Sequence, residues 1–202
     1  REWTLNWVRD PKGFRPSTKM PKLFDLPNVS SAEDIARNTA VINGIVTYLF
    51  ENSGEQDYPD PPVKGDANRG EALAARVGCR GCHVLGRGDD LEQTYGLRNF
   101  GPNLSGVGSK VSAGWLYAWL KDPEAYFPET LMPDLRLTDQ EASDITAYLT
   151  NLRNRDFEMR RPAEVDLDLR DKVVLEGLES RFPIAQAAAK LDAMSDLERD
   201  VW

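Results

Sequence analysis

The 202-residue chain is poor in thiol and imidazole side chains, with only two cysteines and one histidine. No apolar run approaches the roughly 18 residues that a bilayer-spanning helix needs, so the sequence predicts no transmembrane segment. Positive charge is in deficit, with 25 Lys and Arg against 33 Asp and Glu and a formal net charge of −8. Because proteins bind nucleic acid largely through Lys and Arg that displace counterions, this composition argues against a nucleic-acid partner.

Both cysteines and the histidine lie within five residues, in the segment Cys79-Arg-Gly-Cys82-His83. A thioredoxin-like dithiol uses a C-x-x-C pair at a helix N-terminus, but it needs no adjacent histidine, and no βαβ pattern surrounds this pair. A structural zinc site needs four ligands, whereas this segment offers three. A disulfide across a two-residue gap would be strained and would stabilise the chain little.

The fourth interpretation is covalent attachment of haem c, which gives every residue of the motif a role. Two thiols add across the two vinyl groups of haem, and the adjacent imidazole reaches the iron from the same side. The motif therefore predicts that Cys79 and Cys82 hold one haem c and that His83 is an iron ligand.

The other face of the iron needs a second ligand, and the chain has no second histidine. The candidates are the four methionine thioethers, Met20, Met132, Met159 and Met194. Met132 lies in "LKDPEAYFPETLMPDLRLT", where three prolines fix the backbone dihedral φ and remove N–H donors. A stiff loop of this kind suits a weak thioether ligand, whereas Met159 and Met194 lie in settings more typical of surface or packing residues.

The chain resembles the class I c-type cytochromes over about residues 65 to 153. The matching segments, in the family's order, are "GCRGCH", "FGPNLSGVGSKV" (100–111), "WLKDPEAYFPETLMP" (119–133) and "TDQEASDITAYLTNL" (138–152). The resemblance implies an all-α fold, with a complete cytochrome c domain over residues 66–153.

The resemblance also implies roles for single residues. Pro102 accepts a hydrogen bond from the proximal His83 through its carbonyl group, and Met132 is the distal iron ligand. The other implied haem-pocket residues are Asn103, Leu104, Trp119, Tyr126 and Thr130. The two aromatic residues among them line the haem, and the threonine lies near a propionate.

The beginning of the chain repeats the methionine segment of this domain. "WTLNWVRDPKGFRPSTKMP" (3–21) aligns without a gap with "WLYAWLKDPEAYFPETLMP" (115–133), at a constant spacing of 112 residues. A capping box, Ser30-x-x-Glu33, then opens a predicted helix whose "IVTYL" resembles "ITAYL" at 145–149. Residues 1–52 are therefore predicted to be the C-terminal half of a second cytochrome c-like domain, joined by a linker (53–65) to the complete one.

This half-domain has a methionine but no attachment motif, so Met20 is predicted to ligate the iron of a haem attached outside this chain. Without its missing half, the half-domain is expected to expose Trp3, Trp7, Phe14 and one face of the helix over 31–50. Residues 154–202 are predicted to form a polar bridge and helices leading to a further domain, with a last capping box at Ser195-x-x-Glu198. We favour an internal piece of a longer multi-haem chain over a mono-haem protein with a decayed repeat.

The predicted function is electron transfer by a carrier with no substrate of its own, because two protein ligands leave the iron no open position. An alternative is a haem subunit of a larger membrane-associated or periplasmic oxidoreductase complex whose catalysis occurs on another chain. A peroxidase-like enzyme would need an iron without a firm distal ligand. The expected partners are other cytochrome domains, redox proteins or the missing flanking parts of the protein. The resemblance implies export, to the periplasm or the outer face of a membrane.

Overall fold

A computed structural model describes residues 1–16, 18–54, 56–85 and 101–202. The described residues form helices and no strands, which confirms the all-α prediction. Phe100, the first residue of the "FGPNLSGVGSKV" segment, lies outside the described residues. The chain divides into two units, unit 1 (residues 1–55 and 160–202) and unit 2 (residues 56–159).

The α-helices of the described residues are α1 (Glu2–Arg9), α2 (Pro11–Phe14), α3 (Ala32–Glu51), α4 (Ala67–Val77), α5 (Ala113–Lys121), α6 (Pro123–Tyr126), α7 (Asp139–Thr150), α8 (Arg155–Glu158), α9 (Leu167–Glu179), α10 (Ile184–Ala193) and α11 (Asp196–Val201). Two short 3₁₀ helices cover Cys79–Gly81 and Val107–Ser109. None of the helices in these described ranges is both long and apolar enough to cross a membrane.

Side-chain caps set the helix starts of unit 2 where the sequence predicts them. The Asp66 carboxylate accepts hydrogen bonds from the first backbone N–H groups of α4, and the Ser112 hydroxyl accepts one at the start of α5. Thr138 and Glu141 form the predicted capping box of α7. These caps satisfy donors that a helix leaves free at its N-terminus.

The predicted capping box of α3 is wrong by one residue. Ser31 and Asp34 form it instead of Ser30 and Glu33, and the helix begins at Ala32. The Ser31 hydroxyl accepts from the Asp34 N–H at 3.1 Å, while the Asp34 carboxylate accepts from the Ser31 N–H at 2.8 Å. The two patterns overlap in "SSAED", so spacing alone does not distinguish them.

The core of unit 2 is built on a close crossing of α4 and α7. A Cβ atom on Gly70 would collide with the Asp144 carbonyl oxygen and lie 2.9 Å from the Tyr148 Cβ, so only glycine allows the two backbones to approach this closely. The buried apolar residues around this crossing are Ala74, Leu85, Leu116, Leu120, Leu137, Ala142, Ile145, Tyr148 and Leu149. The crossing places the end of α4, where the cysteine motif begins, on this core.

A buried carboxylate also ties α4 to α7. Asp144 is 2% exposed and accepts hydrogen bonds from the Asp66 N–H at 2.7 Å and the Arg69 Nε at 2.8 Å. The Gln140 amide and a second Arg69 nitrogen donate to the same group, each at 2.9 Å. The hydrogen bonds from Arg69, followed by the Asp66 backbone and Gln140, lower the Asp144 pKa to about 2.

Unit 1 is organised around α3. Val8 of α1 packs with Ile42 and Val46 of α3 in a small apolar cluster. In the C-terminal part of unit 1, the buried Arg170 of α9 donates to Asp196 and Asp200 of α11, each at 3.0 Å.

The sequence places residues 1–52 and 154–202 in different domains, whereas the structure groups 1–55 with 160–202.

The hydrogen bonds of Asp144 predict an acid-sensitive stability. Because its folded-state pKa lies below the ordinary value, its contribution is complete above about pH 4 and is lost as the pH falls toward 2. Replacing Asp144 with Asn puts an NH₂ group against the arginine donors, and we expect a loss of about 1–3 kcal/mol at neutral pH. Chemical unfolding from neutral pH to about pH 2 measures the effect.

The difference between wild type and Asp144→Asn should shrink across the acidic range, while Asp60→Asn, a change at an exposed carboxylate, should leave stability unchanged. A constant difference between Asp144→Asn and wild type at every pH would contradict this assignment.

Candidate functional site

Gly78 ends α4 and turns the chain into the cysteine motif. Its φ of +95° lies in the left-handed region that glycine adopts without steric cost, and the 3₁₀ turn Cys79–Gly81 follows at once. Cys79 is half-buried and packs against the core of unit 2, whereas Cys82 is exposed. Both are free thiols, one facing the core and one the surface.

A hydrogen bond fixes the orientation of the single imidazole. His83 Nδ1 lies 2.7 Å from the Pro102 carbonyl oxygen, which is the contact that the resemblance implies. A carbonyl oxygen can only accept, so Nδ1 carries the proton and Nε2 of the neutral ring keeps its lone pair for a metal. Backbone bonds from the Gly101 N–H to Cys82 O (3.0 Å) and from the Leu104 N–H to Val84 O (2.9 Å) hold the two segments together.

Gly101 packs closely against the imidazole ring of His83. A Cβ atom built on Gly101 would lie 2.6 Å from His83 Nδ1 and 2.9 Å from Nε2, closer than real side-chain contacts. The ring can occupy this position only because the residue beneath it has no side chain. Gly101 belongs to the segment "FGPNLSGVGSKV", but nothing in the sequence alone predicts this role for it.

The Met132 loop is held in place by its neighbours. The Trp119 indole Nε1 donates to the Met132 sulfur at 2.9 Å, and the Met132 N–H donates to the Thr130 hydroxyl at 3.2 Å. The Tyr126 ring meets the Trp119 ring nearly edge-on, with centroids 5.7 Å apart. Lys121 donates to the Leu137 carbonyl at 2.7 Å, which ties the end of α5 to the end of the loop.

The structure brings most of the predicted pocket residues onto one core. Cys79, Leu104 and Met132 pack against the same apolar cluster of unit 2. The Asn103 side chain accepts a hydrogen bond from the Ser105 N–H at 2.8 Å, which shapes the turn after Pro102. The roles of all these residues as haem contacts remain predictions.

The other methionines lie elsewhere. Met159 follows α8 and is 69% exposed, while Met194 packs against a separate apolar cluster of unit 1. Met20 is a half-buried residue of unit 1, and its N–H donates to the Thr18 hydroxyl at 3.2 Å. Its predicted role as an iron ligand is not tested by this arrangement.

The geometry weakens the alternative chemistries of the cysteine pair. Burial raises the pKa of the Cys79 thiol, whereas a redox-active dithiol depends on a lowered one. Within the described part of the chain, no group of three or more His, Cys, Asp or Glu side chains is arranged to hold a bare metal ion. The motif does not form a disulfide.

The contact between Gly101 and His83 predicts that Gly101→Ala displaces the imidazole. We expect a loss of about 1–3 kcal/mol from overpacking, because the hydrogen bond to Pro102 keeps the ring from moving away from the added methyl group. Chemical unfolding gives the stability, and the histidine NMR resonances report the position of the ring.

Gly81→Ala is the matched control, since no atom lies within 4 Å of its added methyl group. Equal effects of the two substitutions would show that the close contact at Gly101 is not the cause.

A sequence model of the cytochrome c family matches residues 67–153. No curated protein and no solved structure shows significant similarity to the chain. The match covers most of unit 2, including the cysteine motif, the Pro102 segment and the Met132 loop. Residues 67–153 therefore belong to the cytochrome c family, which supports haem-based electron transfer by this part of the chain.

Proposed function

We propose that unit 2 is an electron carrier with one haem c bound covalently to Cys79 and Cys82, His83 as the proximal ligand and Met132 as the distal ligand. We further propose that it works as one module of a multi-haem cytochrome in an exported compartment. The orientation of His83 carries the proposal, because its bond to Pro102 leaves Nε2 available in the same short segment as two free thiols.

The residues of unit 2 fit such a group. Covalent attachment consumes two thiols, and both are available, with Cys79 set against the core and Cys82 at the surface. Gly101 has no side chain, so it leaves room for the imidazole ring of His83. Imidazole and thioether are also the donor pair that holds haem iron in electron-carrying cytochromes.

The protein would contribute orientation and control of the iron's surroundings. His83 would be held in one tautomer by Pro102, which keeps the imidazole a good donor in both oxidation states. Trp119 would hold the Met132 sulfur through one lone pair while the second lone pair stays available to the iron. When bound, haem supplies the one-electron chemistry, and the chain sets its potential and accessibility.

Two firm axial ligands favour electron transfer over catalysis, because a peroxidase needs an open iron position.

The surface near Met132 also suits a redox partner. Phe127 and Leu131 are 50% and 87% exposed. Exposed apolar side chains of this size favour a docking role. This surface supports a second candidate, a haem subunit in a larger oxidoreductase complex.

We expect Met132→Ala to leave haem attached, because attachment depends on the cysteines. The iron should become open to cyanide or carbon monoxide, the thioether–iron absorption band should disappear, and the midpoint potential should fall. Absorption spectroscopy and a redox titration of the purified holoprotein measure these changes.

Met159→Ala is the matched control, since Met159 is an exposed methionine of the same unit. An unchanged band and potential in Met132→Ala, or the same loss in Met159→Ala, would contradict the proposed distal ligand.

A further inference from the structure

The methionine loop of unit 2 has a structural counterpart in unit 1, in a segment that the family match does not cover. Each loop is preceded by a triad of aromatic rings. The triads are Trp3, Trp7 and Phe14 in unit 1, and Trp115, Trp119 and Tyr126 in unit 2. The two indoles stack with centroids 5.3 Å apart in unit 1 and 5.4 Å apart in unit 2. The third ring meets the first indole at an interplanar angle of 87° in both units.

The two loops also match in backbone at the described positions that can be paired. The helix α2 corresponds to α6 residue for residue, and the aspartate before each has nearly equal dihedrals, −146° and 76° at Asp10 and −153° and 86° at Asp122. The Met20 N–H donates to the Thr18 hydroxyl at 3.2 Å, the same distance at which Met132 contacts Thr130. The likeness therefore extends from the sequence to the arrangement that presents the methionine.

We infer that Met20 is a second thioether ligand, for the iron of a haem c carried by a Cys-x-x-Cys-His segment other than residues 79–83. The inference rests on the proposed role of Met132. The occupant must bring its own attachment motif, because residues 1–78 contain no cysteine or histidine. A second copy of this chain does not meet that need, since its haem already has Met132.

The exposed face of α3 indicates which kind of segment completes the site. Three apolar residues of α3 correspond, at a spacing of 100 residues, to three buried residues of α7. They are Ile45, Tyr48 and Leu49 in α3, and Ile145, Tyr148 and Leu149 in α7. The first three are 39%, 53% and 46% exposed, whereas the second three are 1%, 8% and 4% exposed.

In unit 2 this face lies under α4, the helix that leads directly into Cys79. In unit 1, α11 packs on α3 at Gly44, which corresponds to Asp144 in α7, and it leaves Ile45, Tyr48 and Leu49 exposed. The occupant that fits is therefore an amphipathic helix followed by Cys-x-x-Cys-His with its haem. Its helix would cover Ile45, Tyr48 and Leu49, and its iron would face Met20.

The chemistry at Met20 is ligand exchange. The Met20 sulfur would donate a lone pair to the iron in place of a bound water molecule, which would leave, with no change in oxidation state. A bond of this kind is detected by its absorption band and by a rise in the potential of the bound haem.

The test uses the full-length holoprotein and a haem peptide of residues 66–85, with haem joined to its two cysteines. The peptide contains α4 and His83 and has an open iron position. On titration, we expect a new thioether–iron band from the peptide in the wild-type protein, together with saturable binding. Met20→Leu, which keeps the side-chain volume, should abolish the band and weaken binding at least about tenfold.

Met159→Leu is the matched control and should bind the peptide as the wild type does. The band of the protein's own haem, recorded before the peptide is added, reports Met132 alone, so a failure of the proposed function is separable from a failure at Met20. Circular dichroism confirms that Met20→Leu is folded.

The inference is overturned if the peptide gains no thioether band, or if Met20→Leu retains the band. It is also overturned if the wild-type protein is a dimer whose α3 face is covered by a second copy, because the peptide then has no surface to bind. Sedimentation of the protein alone identifies that case.

Discussion

The close crossing of α4 and α7 is the constraint on which unit 2 depends. Gly70 lets the two backbones meet, and the buried Asp144 carboxylate holds the start of α4 to α7 with three hydrogen bonds, one from the Asp66 N–H and two from Arg69. The end of α4 becomes the cysteine motif after a single left-handed residue, Gly78. The position of the thiols and of the imidazole is therefore set by backbone packing and by one charge, several residues away from the chemistry.

Local chemistry explains what could be predicted from the sequence. The helix starts at Asp66, Ser112 and Thr138 depend on capping side chains a few residues away, so spacing identifies them. The Cys-x-x-Cys-His motif is also local, and its haem interpretation agrees with the family match over 67–153. The contact of His83 with Pro102 crosses 19 residues of chain, and only the family resemblance made it predictable.

The remaining features depend on contacts distant in sequence. Spacing gave no sign that Asp144 would accept from Arg69, because the two residues meet only when α4 crosses α7. The close contact between Gly101 and His83 likewise forms only when the segment that follows the cysteine motif pairs with the segment that contains Pro102. The grouping of 160–202 with 1–55 depends on the packing of α9 and α11 against α3 and on the ion pair between Arg37 and Glu176, whose partners are 139 residues apart in the sequence.

The account rests on covalent haem at Cys79 and Cys82, and mass spectrometry of the denatured holoprotein tests it most directly. The account predicts a mass equal to the polypeptide plus one haem, with no thiol left to react with an alkylating reagent. A mass equal to the bare polypeptide, with both cysteines alkylated, would contradict it.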